Sequence, residues 1–516
     1  MARTNIRALV QLRNLRATLM PKSGGVIENY AEKVVVSHST EGEKTLDIAE
    51  GNVHELVLDG DTVLDFNSIL PSIIEDKNVS FTLILHQKDP ARVVTFPANI
   101  SWRGDEEPIT NETNKVFVLS FMSTDFGARW YGMEIGSFAN IPVPVNPNAP
   151  SSQQFGLQWN QTQNTYARLD DSVGMVANAM SLTVYDPVND FDNVMPWSGI
   201  RRCNLADNGM VNAYFGDVGF VDDGSNGQVM VQIPKFWYKS ELDTTGDRIF
   251  RWWISGEEIA GYKVHPAFVR NGVEKDYVYI GAYEARLNGD KLESRSGVTG
   301  TVNRTIAQFR SGAQARGIGW EQQDFLTTSA LQLLYLIEYA HFNSQAKIGL
   351  GYTNTFNSKT TGFTLNYGNT SFGSVSSGSI PMSYRGVEDL YGSKFQIIDG
   401  CNMFNRVAFV ADHSFENNKI SGNYNSSGFT SSATNGWSTD IGWTLDSDYM
   451  FLCISTVSTE SLGKLHDWFT GNSESRIPIF GGHQLSTTGA GAFSWRFHFA
   501  PTSATSETGA RLLFIP

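Results

Sequence analysis

One stretch limits the folds open to this chain more than any other. Residues 319–342 read GWEQQDFLTTSALQLLYLIEYAHF, the longest helical pattern in a sequence otherwise made of short strand-like runs. Leu331, Leu334, Tyr335, Glu338 and Phe342 recur on one face, and Leu333, Leu336, Ile337 and Ala340 widen that face almost to the full circumference. A helix apolar on nearly every side has to be wrapped by other elements. Asp324, or the hydroxyls of Thr327, Thr328 and Ser329, can cap its start, and Asn343 can end it. The pattern predicts a core helix with no chemistry of its own.

The strands that could wrap it are present on both sides. Over residues 34–136 the apolar period is close to two, in runs such as 53–58, 79–85, 92–96, 116–121 and 128–134. Turn clusters at 59–61, 87–90 and 103–106 separate them. Closely spaced strands with almost no helix between them predict a β-sandwich or jelly roll over 36–140. The proline-rich segment 141–154 reads as a semi-stiff spacer. Residues 155–516 form a larger body with strand runs at 229–233, 249–254 and 277–283, a first helix at 305–315, and then the central helix. The expected class is mainly β, with an α+β C-terminal part carrying two helices.

Composition narrows function by exclusion. A net charge of −14 argues against a nucleic-acid-binding body, because neutralising phosphates takes clustered Lys and Arg. Residues 1–35 depart from that balance: Arg3, Arg7, Arg13, Arg16, Lys22 and Lys33 face only Glu28 and Glu32. This basic head, helical or strand-like in its leucine spacing, is expected to dock onto something negative, an acidic protein surface or a nucleic acid. Cys203, Cys401 and Cys453 are far apart and form neither a disulfide framework nor a C-x-x-C site. There is no signal-peptide pattern and no apolar run long enough for a bilayer, so a soluble, cytoplasmically made chain without membrane insertion is expected.

Catalytic motifs are missing: no G-x-S-x-G, H-E-x-x-H or phosphate loop occurs. The carboxylate pairs Glu257/Glu258, Glu388/Asp389 and Asp389/Asp399 read as surface or turn residues, with Asp389 and Asp399 expected to serve backbone donors near Gly392 and Gly400. His265 reads as a packed strand-end residue. His466, His483 and His498 could meet only through the fold. No metal, cofactor or enzymatic activity is expected.

Two stretches carry a resemblance. Gly386–Gly400 (GVEDLYGSKFQIIDG), with the ending that holds Gly481–Gly482, Gly489–Phe493 and Gly509–Leu513, resembles the C-type-lectin-like domains of the formylglycine-generating-enzyme branch. Phe191–Asn193, Pro196–Gly199, Ile233–Tyr238 and Val264–Phe268 look like bacteriophage fibre proteins carrying such a domain, of the tropism-determinant kind, and residues 50–136 resemble the β domains of phage head and tail fibres. Ser393, Phe395 and Ile397 stand where the lectin-like motif has an asparagine and two tryptophans. Only Cys453 lies where the enzymes need a reactive pair. The resemblance therefore implies a display scaffold. It implies a virion protein, homotrimeric, attached to capsid or tail through residues 1–35 (Arg3, Arg7, Arg13, Arg16). Its C-terminal domain would bind a host-surface glycan or protein. A tail-spike hydrolase of surface polysaccharide and a non-binding decoration protein are the alternatives.

With the helix interior, the binding face is expected on the long polar loops after it, 351–380, 421–445 and 483–505. Tyr and Trp give rigid contact area there while Ser, Gly and Asn adapt their hydrogen bonds. Trp437, Trp443 and Tyr424 are the leading contact candidates, followed by Tyr367, His483 and Trp495.

Overall fold

A computed structural model describes residues 34–39, 42–46, 53–58, 60–66, 79–87, 91–104, 106–113, 115–123, 128–139, 153–185, 187–357 and 359–516. Arg3, Arg7, Arg13, Arg16 and nearly all of the 141–154 spacer lie outside these residues. The chain divides into two compact units, Met1–Ala149 and Pro150–Pro516.

The first unit is built of two sheets over a common core, but its strands do not run as a jelly roll requires. Val34–Ser39, Val53–Leu58 and Val79–His86 pair in parallel in one sheet. Gly42–Thr45, Thr62–Asp65 and Val94–Thr95 pair in parallel in the other. The chain thus alternates between sheets at each short connection. Only Lys115–Ser123 and Trp130–Ala139 then join the first sheet antiparallel. Period-two patterning fixes which face a side chain takes, not which strand lies next to it or in what direction. The faces themselves follow the pattern. Leu56, Leu58, Phe81, Leu83, Leu85, Phe117, Leu119 and Phe121 enter the shared core, while Val53, Ile84, Val116 and Val118 cluster on the opposite side.

In the second unit the central helix, α2, spans Phe325–Tyr339, and all of its residues are buried. It is shorter than the apolar stretch. Residues Trp320–Gln322 are instead a strand, and Asp324 caps the helix by accepting from Thr327 N–H at 2.8 Å. Ala340 ends it in the left-handed conformation (φ 51°), and Asn343 caps the next short helical turn. Arg168 donates to the carbonyls of Ile337 (2.8 Å) and Glu338 (2.5 Å), filling acceptors that a helix C-terminus leaves open. The first helix, α1, covers Ile306–Gln314 behind a capping box made by Thr305 and Gln308.

Glu338 is the one charged residue of α2 and is fully buried. Arg385 donates to it through Nε and Nη2 (both 2.8 Å), Tyr384 through its hydroxyl (2.9 Å) and Asn189 through Nδ2 (2.8 Å). A buried charge is tolerable only with such partners.

Around the helices lie a five-stranded antiparallel sheet containing Phe155–Asn160 and Ile249–Ser255 and a six-stranded sheet containing Gln228–Pro234 and Tyr277–Gly281. The C-terminal strand Leu512–Phe514 lies between Tyr277–Gly281 and Trp320–Gln322. The chain end is therefore brought to the entrance of α2. Cys203, Cys401 and Cys453 are buried free thiols, and His265 is fully buried beside Phe236 and Tyr238. Among the described residues no helix is long and apolar enough to cross a membrane.

Candidate functional site

Two of the three loops singled out by composition interlock. Thr355 N–H donates to Gln484 O (3.0 Å) and Thr487 N–H to Thr353 O (2.9 Å), while Gln484 N–H reaches Ser393 O (3.0 Å). Gln345 Nε2 bridges Thr487 O (2.9 Å) and Leu350 O (3.0 Å). His483 N–H donates to Ser486 Oγ (2.9 Å), and Nδ1 of the same ring lies 2.7 Å from that hydroxyl. Residues 483–489 form a ridge pinned to 353–355, Ser393 and Gln345 by these hydrogen bonds.

The ridge borders two clefts. One, of about 340 Å³, is lined by Asn343, Gln345, Leu350, Val375, His466 and Thr488 among others. The second, of about 360 Å³, includes Lys394, His483, Gln484, Leu485, Ser506 and Glu507. Beside them stand apolar side chains turned to water: Phe356 is 84% exposed, Val375 62% and Leu485 38%. Single exposed apolar side chains are common on protein surfaces; here Val375 lines the first cleft, Leu485 lines the second, and Phe356 follows Thr355, whose N–H bonds Gln484.

Electrostatics differ along the ridge. His483 stacks on Phe395 (ring centroids 4.5 Å apart, 12° between planes), with Nε2 3.8 Å from Glu507. Burial holds its pKa below the usual histidine value, Glu507 opposing. The Arg496 guanidinium lies 4.8 Å from the centre of the same phenylalanine ring, and burial pulls its pKa down to about 10.

The six aromatic and histidine candidates do not share one face. His483 lies on the ridge. Trp437 is half-buried, edge-on to Trp468 at 5.6 Å, and both abut Gly489 at the ridge's end. Tyr367 lies elsewhere, stacked at 4.3 Å on the buried Phe372. Trp443 packs against the main core and donates from Nε1 to Ser240 Oγ at 2.9 Å.

Two candidates are corrected outright. Tyr424 is only 4% exposed, and its hydroxyl donates to Glu416 O (2.8 Å) and accepts from Glu416 N–H (2.7 Å). Trp495 is fully buried among Phe325, Phe480 and Phe497, because Trp495–Phe499 is a strand whose alternate residues face inward. Composition made both look like loop aromatics; they are anchors. The exposure of Phe356, Val375 and Leu485 was not anticipated. The available signal was a lone apolar residue inside an otherwise polar Gly/Ser/Thr/Asn stretch.

Of the carboxylates weighed as acid–base pairs, Glu257 and Glu258 are exposed, while Glu388 and Asp399 are occupied. Glu388 accepts from Gly362 N–H (2.9 Å), Thr364 N–H (2.7 Å) and Thr364 Oγ1 (2.8 Å). Asp399 takes a bidentate pair from Arg310 (2.6 and 2.7 Å) and Gly400 N–H (2.9 Å). Asp389, expected to serve a turn, instead faces Lys359. Among the described residues no three His, Cys, Asp or Glu side chains converge in a metal-binding arrangement.

No family model matches the chain, and no curated protein matches it. Solved structures similar to it include the Major Tropism Determinant U1 variant, 13% identical over 61% of this chain and 72% of that one, with a TM-score of 0.24. The P3c variant of the same protein is 12% identical over the same shares, with a TM-score of 0.23.

Proposed function

We propose that this chain is a bacteriophage virion fibre or spike protein whose second unit contacts the host surface through the 483–489 ridge and its two clefts. The observation that carries the reading is the combination of a loop platform pinned by backbone bonds with exposed apolar side chains, Val375 and Leu485 lining its two clefts and Phe356 next to the bond between Thr355 and Gln484. A pre-ordered platform binds without losing loop entropy, and polar clefts beside apolar anchors suit a glycan or a protein epitope. The motif resemblance to phage fibres supports the same role.

In this reading residues 1–35 dock on the capsid or tail, the first unit acts as a shaft, the assembly is a homotrimer, and the protein binds without cutting. Purified full-length chain should adsorb to host cells and release no reducing ends from their surface polysaccharide. Release of reducing ends would favour the hydrolase alternative, and absence of adsorption the decoration protein. Deleting residues 1–35 should leave a folded protein that fails to enter particles. A stable monomer at micromolar concentration would exclude the trimer.

A further inference from the structure

Beneath the loop that carries Phe356 lies a cluster the receptor reading does not use. Lys359 reaches inward from the loop, its side chain 12% exposed, and its Nζ touches Asp389 Oδ2. Glu388 Oε1 is 3.6 Å from the same nitrogen. Asp389 and Glu388 are each 1% exposed, and Glu284, also buried, is nearby. Neither the Lys359 nitrogen nor either Asp389 carboxylate oxygen makes a hydrogen bond of normal geometry. This is unlike Glu338 and Arg385, whose charges are met by several directed bonds. A buried ion pair with no supporting hydrogen bonds repays its desolvation poorly.

The rest of the cluster is rigid. Asp389 sits at φ 48°, and Arg511 Nη2 donates to the carbonyls of Glu388 (2.7 Å) and Asp389 (3.0 Å). The Glu388 carboxylate is aimed by three donors from Gly362 and Thr364. An amine, a carboxyl and a second, independently held carboxylate thus meet where water is scarce.

We propose that Lys359 and Asp389 condense to a self-catalysed isopeptide bond, with Glu388 as the proton carrier. The Nζ–Cγ bond forms and a Cγ–Oδ bond breaks, so an ammonium and a carboxylate become one amide and one water. Glu388 takes a proton from the attacking nitrogen and returns it to the departing oxygen, ending as it began; no oxidant or cofactor is consumed. Reactants held in contact gain the rate advantage of an intramolecular reaction, and exclusion of water favours condensation over hydrolysis.

The amine must lose a proton before it can attack. Burial raises the Asp389 pKa above the usual carboxylate range, with Lys359 opposing and Glu388 and Glu284 adding to the rise, which makes Asp389 the acceptor for that proton. Burial pulls the Lys359 pKa down, but the neighbouring carboxylates outweigh it and favour the charged amine, so a proton must pass from Lys359 to Asp389 before attack. The product removes two buried charges and ties the Phe356 loop to the core in a unit whose cysteines are all free.

The test is the mass of the full-length chain under denaturing conditions, with digestion and fragmentation of the product. Wild type should be one water lighter than its sequence and yield a branched peptide joining residues 359 and 389. Lys359→Arg and Asp389→Ala should have their full sequence masses, and Glu388→Gln should stay uncondensed or convert far more slowly. Because the wild-type mass needs no variant to fold, it decides alone: full sequence mass with linear peptides across both residues overturns the proposal. A Glu388→Gln chain that condenses as fast as wild type overturns the role given to Glu388.

Discussion

Replacing Phe356 by alanine separates recognition from folding at the proposed site. The side chain is 84% exposed, so only about a sixth of a phenylalanine's roughly 200 Å² is buried, about 30 Å². At about 25 cal/mol per Å² its removal costs folding less than about 1 kcal/mol, a shift of a few degrees at most in a unit of this size. If Phe356 is an anchor, the same change costs binding about 2 kcal/mol, roughly thirtyfold in affinity. The assay is adsorption of wild-type and Phe356→Ala protein to host cells over a concentration series, alongside thermal unfolding of both. A thirtyfold weaker adsorption at nearly unchanged melting temperature is expected. Unchanged adsorption would refute the ridge as the contact face. A large drop in melting temperature would show that the loop packs against something its exposure does not reveal.

Trp495→Ala should do the reverse, destabilising the protein by about 3–5 kcal/mol as a buried aromatic truncation, read by denaturant unfolding. Glu338→Ala should cost a similar amount, about 3–5 kcal/mol, because Arg385 would remain buried without its bidentate partner. His265 supplies a pH dependence. Burial, with Arg270 and Lys263 adding, pushes its pKa well below the ordinary value, so it stays neutral in the folded protein. The unfolded chain takes up a proton below about pH 6.5, so this residue's contribution falls as pH falls, by up to about 1.4 kcal/mol per unit. His265→Asn keeps an acceptor for Ala267 N–H and cannot titrate. It should therefore lose less stability than wild type between pH 7 and 5, as measured by unfolding at each pH.

Much of the fold was readable from residue order because burial is periodic. The stretch around α2 is apolar on nearly every side and ends up wholly buried. The strands of the first unit show their inner faces in alternate residues. The capping box at Thr305 and the Asp324 cap are local chemistry, set within a few residues of each other. The sequence alone therefore determined that 325–339 is a buried helix and which faces of the first unit's strands lie inside, though not that Trp320–Gln322 and Trp495–Phe499 are strands.

Tertiary structure decided whatever depends on partners distant in the chain. Parallel winding in the first unit rests on pairings such as Val53 with Thr82, which alternation cannot reveal. Trp495 and Tyr424 look the same as Trp437 and Phe356 in a polar stretch; only packing turns the first two inward and leaves Phe356 in water. Glu388 and Asp389, adjacent in sequence, acquire separate partners, one the backbone at Gly362 and Thr364, the other Lys359. Burial along a regular helix or strand follows the local pattern, but the fate of a loop aromatic and the meeting of charged groups depend on the path of the whole chain.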